Sequence, residues 1–201
     1  MIVKYQNKVV SNNSKWVGYS GEPGPGPEPQ LPAYTLRLKF IDGVTPTFDK
    51  GTGVLFDSTN NIWDLTYDNS SWNDLLQSQR DLLEVIDGNT SSVTDMSYMF
   101  AGCWALTSVS LFDTSNVTNM TYMFRSCTSL TSIPLFDTSK LTNMDSAFYV
   151  CRGVQSGALA LYQQVSTQTN PPTSHRSTFY NCGSNTQTGA AELAQIPSDW
   201  K

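Results

Sequence analysis

Apolar residues fall at steps of three or four along Val117, Met120, Met123, Phe124 and Cys127, the pattern of one face of a short helix. The next stretch, Leu130-Thr-Ser-Ile133-Pro-Leu135, changes rhythm. Its Ile133 and Leu135 are expected to alternate inward from a strand. Phe136-Asp-Thr-Ser follows as a turn, because Asp and Ser side chains can bond their own backbone and reverse the chain. The predicted unit is helix, turn, strand, turn.

That unit recurs every 24 residues: Val93, Val117 and Leu141 align, as do Met96, Met120 and Met144. Phe100, Phe124 and Phe148 form a third row, Leu106, Leu130 and Val154 a fourth, and Leu111, Leu135 and Leu159 a fifth. One period earlier, Trp72, Leu75, Leu76, Leu82 and Val85 stand at equivalent positions, so a degenerate first coil begins near Asp64. Beyond Cys151 the unit lengthens, and Gly157-Ala-Leu-Ala-Leu recurs loosely as Gly189-Ala-Ala-Glu-Leu. A fixed period of this length is the signature of a solenoid, since one unit cannot bury its apolar edge unless neighbours stack on it. The predicted fold class is α/β: a short solenoid of about 24-residue helix–turn–strand repeats with a small β-cap.

The cysteines follow the same rhythm. Cys103, Cys127, Cys151 and Cys182 each end a Phe-x-x-Cys. Stacking would gather them into an inward column, which suits buried free thiols. Disulfides between neighbours are conceivable at the spacing of adjacent strands, but a straight column cannot wrap a zinc ion tetrahedrally.

Ahead of the repeats the chain changes character. Residues 1–20 hold two short alternating segments with turn residues between them, read as small hairpins and as an anchor segment using Ile2, Val3, Tyr5, Trp16, Val17 and Tyr19. An isolated hairpin is marginal in water, so such a segment wants a partner surface. Residues 21–33 are rich in Pro and Gly and read as a semi-rigid linker. Residues 34–63 are read as the β-cap, expected to form from strand-like stretches at Tyr34–Phe40, Gly51–Phe56 and Ile62–Tyr67, the last of which runs on into the repeat domain. Residues 64–201 are the repeat domain, opening at Asn69-Ser-Ser-Trp with a helix start capped by Ser70 or Ser71.

Composition narrows the chemistry. The net charge is −5, with six Lys/Arg against four Asp/Glu in residues 1–50 and six against thirteen afterwards. Acidic residues spread singly argue against nucleic acid as a partner. No apolar run is long enough for membrane insertion, and the start lacks the apolar stretch of a signal peptide, which leads to the expectation of an unprocessed chain from Met1. The single histidine, His175, sits in a loop-like Pro-Pro-Thr-Ser context, so no histidine metal site is expected. No cofactor is expected either.

The stretch Phe112-Asp-Thr-Ser-Asn-Val-Thr-Asn-Met-Thr-Tyr-Met-Phe-Arg-Ser-Cys-Thr-Ser-Leu-Thr-Ser-Ile-Pro-Leu135 resembles the repeat of the BspA-type leucine-rich-repeat family. The likeness is close over residues 87–151 and looser over 64–200. It implies a leucine-rich-repeat fold and a surface or interaction protein, often an adhesin, without catalytic activity. The whole layout is also similar to small structural proteins encoded by phages and prophages of gut Bacteroidales.

Several residues compete for a functional role. Asp113 and Asp137, with Asp87 near by, could hold calcium or act as a glycosidase pair. Asx-turn duty explains them without either, and a catalytic pair would be singular rather than repeated with the coil. Tyr98 and Tyr122 share one repeat position, and Trp104, Arg125, Tyr149 and Arg152 lie close by in the repeat. Tyr, Trp and Arg are the types enriched at binding hot spots, so these six are the candidate binding residues. The expectation is a non-enzymatic, multi-copy virion structural protein, a capsid decoration or tail fibre. Its N-terminal segment would bind other virion proteins, and its repeats at the virion surface would meet a host protein or glycan. The alternatives are a bacterial cell-surface or secreted adhesin and a purely structural brace within the virion.

Overall fold

The computed structural model describes the strands Val3–Tyr5 (β1), Lys8–Val10 (β2) and Trp16–Val17 (β3), and then residues 35–201. The chain divides into two units, Met1–Leu31 and Pro32–Lys201. In the first, β1, β2 and β3 form an antiparallel meander with Val3 opposite Val10 and Val9 opposite Val17. Val3, Tyr5, Trp16 and Val17 sit on these strands. Ile2, Tyr19 and the Pro/Gly stretch 21–33 lie outside the described residues.

The second unit is mixed α/β. Its five-stranded sheet takes Thr35–Phe40 (β4), Thr52–Asp57 (β5), Ile62–Thr66 (β6), Leu82–Asn89 (β7) and Ser108–Val109 (β8) in the order β5-β6-β4-β7-β8. Alternation in β4 decides its faces: Leu36, Leu38 and Phe40 are fully buried, while Arg37 and Lys39 turn to the half-buried side. There Arg37 holds both carboxylate oxygens of Asp64 on β6 at 2.8 and 2.9 Å. The cap and the first coil share one sheet, because β7 pairs antiparallel with β4 and parallel with β8.

From Ser71 onward, equivalent residues pair in parallel one unit apart: Ser71 with Asp95, Asp95 with Asn119, Asn119 with Asn143, and Asn143 with Ser174. The segment expected to be helical in each unit is a run of turns instead. The amides of Met96, Tyr98, Phe100 and Gly102 donate to the carbonyls of Asn119, Thr121, Met123 and Arg125 in the next coil. The amides between them, of Met99, Ala101 and Cys103, reach back three residues within the coil. Two left-handed residues per coil produce this alternation: Tyr98 and Gly102, Tyr122 and Ser126, Ser146 and Val150, Ser177 and Asn181, all with φ between 54° and 76°. An α-helix keeps its amide bonds to itself. These turns place every second one at the disposal of the neighbour, and the three-or-four spacing of apolar residues still faces inward.

The core is a set of columns. Phe100, Phe124, Phe148 and Phe179 stack at 5.1, 5.3 and 5.8 Å with planes within 11° of parallel. Beside them the four cysteines are free and fully buried. The Sγ–H groups of Cys103, Cys127 and Cys151 donate to the carbonyls of Leu76, Phe100 and Phe124 in the preceding coil. Leaving water pushes the thiols of Cys103 and Cys151 up to about 12, and those of Cys127 and Cys182 also well above their usual range.

The strand half of the unit departs further from expectation. Beyond β8, only the Ser132–Ser156 bridge continues that line among the described residues. Leu111 and Leu135 were expected to point inward, and they are 64% and 52% exposed. Phe112 and Phe136, one residue later, are buried in their place. Pro134, which has no amide to donate, lies within this stretch and a short bend closes after it, with the Phe136 amide bonding the Pro134 carbonyl.

True helices occur in the longer final units, Ala158–Ser166 (α1) and Gln187–Gln195 (α2), followed by a 3-10 turn at Ser198–Trp200. The amides of Gly157 and Leu159 at the start of α1 donate to the Glu192 carboxylate of α2. Gly157 is left-handed, and a Cβ there would meet the Ile133 carbonyl oxygen at 2.2 Å, so only glycine fits. Trp200 covers the end of the phenylalanine column, 6.3 Å from Phe179. His175 lies flat on Trp200 at 4.0 Å, which gives this loop residue a packing role.

Candidate functional site

Because coils stack in register, a residue type repeated at one position becomes a ladder on the surface. Tyr98 and Tyr122 both occupy the first left-handed turn position, and their rings stack at 4.9 Å. Three residues further along the turn segment, after left-handed Ser146 and Ser177, lies a second ladder. Tyr149 stacks on Tyr180 at 4.9 Å with planes 16° apart. Arg125 joins the two pairs: its guanidinium is 5.4 Å from the Tyr122 ring centre and 6.0 Å from that of Tyr149. Tyr98, Tyr122, Arg125, Tyr149 and Tyr180 therefore form one continuous ridge across four coils.

The structure thus brings four of the six sequence candidates together, Tyr98, Tyr122, Arg125 and Tyr149. Trp104 stands in a parallel row, 49% exposed, with Arg80 lying over its ring at 4.3 Å. Arg152 is exposed two coils beyond Trp104 in that row and makes no ring contact among the described residues. Two members were missed in the sequence. Tyr180 follows Tyr149 by the same 31 residues that separate Cys151 from Cys182, and Arg80 precedes Trp104 by one 24-residue period. Both were legible once the period was extended to these rows.

Three carboxylates of the turn segments are already engaged. Asp74 pairs with Lys50, Asp95 accepts from the Ser97 amide and Ser71 hydroxyl, and Asp145 accepts from the Arg176 amide and Ser174 hydroxyl. The turn edge therefore shows solvent the guanidinium groups of Arg80, Arg125, Arg152 and Arg176, all exposed.

The opposite half of the coil, where the strand exits, carries a different surface. Leu111, Leu135, Asp113 and Asp137 line an open groove of about 490 Å³ over Phe112 and Phe136, closed on one side by Gln164 of α1. The two aspartates hold Asx turns: Asp113 Oδ1 accepts from the Ser115 amide and Asp137 Oδ1 from the Ser139 amide, each at 2.9 Å. Bonds from the Ser139 amide and hydroxyl hold the Asp137 carboxyl below its ordinary range, with the Lys140 charge adding to them. Among the described residues no group of three His, Cys, Asp or Glu side chains is placed to hold a metal ion, and no helix is long and apolar enough to cross a membrane.

A family model described as "Mycoplasma protein of unknown function, DUF285" matches residues 60–190, from β6 to the start of α2. No curated protein and no solved structure matches the chain. With the match spanning well over half of its length, the chain belongs to the DUF285 family.

Proposed function

We propose that this chain is a non-enzymatic binding module, a leucine-rich-repeat solenoid of the BspA type that presents the tyrosine–arginine ridge to a partner. The single observation that carries this reading is the continuity of the ridge from Tyr98 to Tyr180. Tyr and Arg bring large contact area with little conformational freedom to lose, and ladder stacking holds them in place before a partner arrives. The parallel pairing of Ser71, Asp95, Asn119, Asn143 and Ser174 supports the solenoid reading. The repetition of the aspartates with the coil weighs against a singular catalytic pair.

The module is placed on a virion, in many copies, with residues 1–20 as the anchor that binds other virion proteins and residues 21–33 as the spacer. The order of a small β unit, a Pro/Gly stretch and a larger repeat domain supports this display arrangement. Immunogold microscopy with an antibody to the repeats, on lysates containing particles and cells, tests it. Gold on particles that vanishes when residues 1–30 are deleted is the expected result. Gold on cell envelopes with bare particles would overturn the virion placement in favour of a bacterial adhesin. Labelled protein should also adhere to host cells, and the Arg125→Gln, Tyr149→Ser double variant should lose that adhesion while melting at a similar temperature.

A further inference from the structure

We infer that the ridge takes an extended acidic polysaccharide, a chain of uronic acid sugars laid across the coils. This rests on the reading of the ridge as the binding face and adds the chemistry of its ligand.

The ring stacking determines what the ridge can offer. Tyr98 and Tyr122 cover one another's faces, as do Tyr149 and Tyr180, and Arg125 lies against both pairs. Neutral sugars dock by laying their C–H faces on open aromatic faces, and here the two facing sides of each tyrosine pair are covered by the partner ring, with Arg125 over Tyr122 and Tyr149. The ridge also offers the ring rims, which are the positive part of the aromatic quadrupole, and the phenol hydroxyls as donors. Arg125 adds a planar fork of N–H groups suited to carboxylates. Rims, hydroxyls and guanidinium all favour an anion.

Charge placement agrees. The protein is acidic overall, at −5, yet four of its five arginines (Arg80, Arg125, Arg152 and Arg176) lie on the turn segments and are exposed. The exposed Asp87, Asp113 and Asp137 lie instead on the strand and its exit. Three carboxylates of the turn edge, Asp74, Asp95 and Asp145, are engaged by partners within the protein, while the exposed Asp81 adjoins Arg80 at the end of the first turn segment. Among the described residues, an approaching polyanion meets on this edge four of the exposed cationic side chains.

Spacing separates a sugar chain from an acidic peptide. The ridge repeats with the coil, at ring separations of 4.9 Å in both tyrosine pairs. That distance is close to the advance of one hexose in an extended β-linked chain, so one uronate can meet each coil. An extended peptide advances about 3.3 Å per residue and presents same-side chains at about twice that distance, which falls out of step with the coils.

Isothermal titration of the full chain tests the inference, using hexameric oligomannuronate, neutral cellohexaose and a poly-L-glutamate of similar length. The oligomannuronate should bind at least tenfold more tightly than either of the others, with affinity falling as salt rises. Arg125→Gln should weaken it tenfold or more without lowering the melting temperature, Arg125→Lys should recover part of that loss, and Tyr122→Phe should weaken it a few-fold while keeping the ring stack. Equal binding of cellohexaose would overturn the charge argument, and equal binding of poly-L-glutamate would make the partner an acidic protein. Absence of oligomannuronate binding at millimolar concentration would also overturn the inference. In that case, host-cell adhesion that still depends on Arg125 and Tyr149 would leave the binding-module reading standing, whereas loss of both would remove the two together.

Discussion

The turn edge and the strand edge of the same coils are built to different standards of repetition. On the turn edge, every second amide from Trp72 to Val150 is bonded to the neighbouring coil, and Phe, Cys and Tyr each form a column. On the strand edge, regular pairing shrinks to β8 and a single bridge, with isolated amide bonds between coils such as Thr131 to Thr107 and Gln155 to Thr131, and two leucines of the repeat lie in solvent. Threonines support both edges by bonding one coil back, Thr118 to the Thr94 carbonyl on one and Thr131 to the Thr107 carbonyl on the other. The difference teaches that the turn ladder fixes the register of the stack, while the strand edge is free to diversify.

The strongest way to break this comparison is to empty the middle of the turn column. Phe124 touches rings on both sides, so Phe124→Ala should destabilise the protein by about 3–5 kcal/mol through lost burial and the cavity left behind. Urea unfolding followed by circular dichroism measures it. A loss under 1 kcal/mol would mean the column is not the structural centre.

A second test uses the buried thiols. In the folded chain Cys103 and Cys151 keep their protons until about pH 12, against an ordinary value of 9.0. The unfolded chain releases them first, so their contribution is complete below pH 9 and is lost as pH rises from there toward 12. The urea midpoint should fall over that window, and Cys151→Ala should fall less steeply than the parent. Native protein should also react with a thiol reagent only as fast as it unfolds, so rapid labelling at pH 8 would contradict the burial.

Third comes the left-handed ladder. Gly102, Ser126 and Val150 occupy one position in successive coils, with φ of 76°, 62° and 63°. A β-branched residue is strained there, and Val150→Gly should raise stability by about 1 kcal/mol, read as a higher melting temperature. The smallest effect belongs to the strand edge. Leu135→Ser should change stability by no more than about 0.5 kcal/mol, whereas Phe136→Ala, one residue on, should cost several times more. Equal costs would restore the inward strand that the spacing suggests.

Much of this was legible in the residues. The 24-residue period placed Trp72, Met96, Met120 and Met144 in one row and the cysteines in another, and all of them are buried. Tyr98 over Tyr122 also follows from the period alone. What spacing could not distinguish was the conformation of the turn segment. Steps of three and four are satisfied equally by an α-helix and by turns bonding back three residues, and the inward row is the same in both. Leu135 departs for a related reason: alternation assumes a continuous strand, and the bend after Pro134 turns Phe136 inward instead; Leu111 and Phe112 make the same exchange with Ser110 in place of the proline.

The sequence by itself determined the register, since residues that must bury an apolar edge and recur at a fixed interval have no better partner than the next copy of themselves. Only the tertiary structure decided which surfaces that register builds. Whether Arg125 lies against both ring pairs depends on how its side chain packs between Tyr122 of its own coil and Tyr149 of the next. Whether a leucine is core or groove depends on which of two adjacent side chains the bend leaves facing in, and the packing of the neighbouring coils makes that choice.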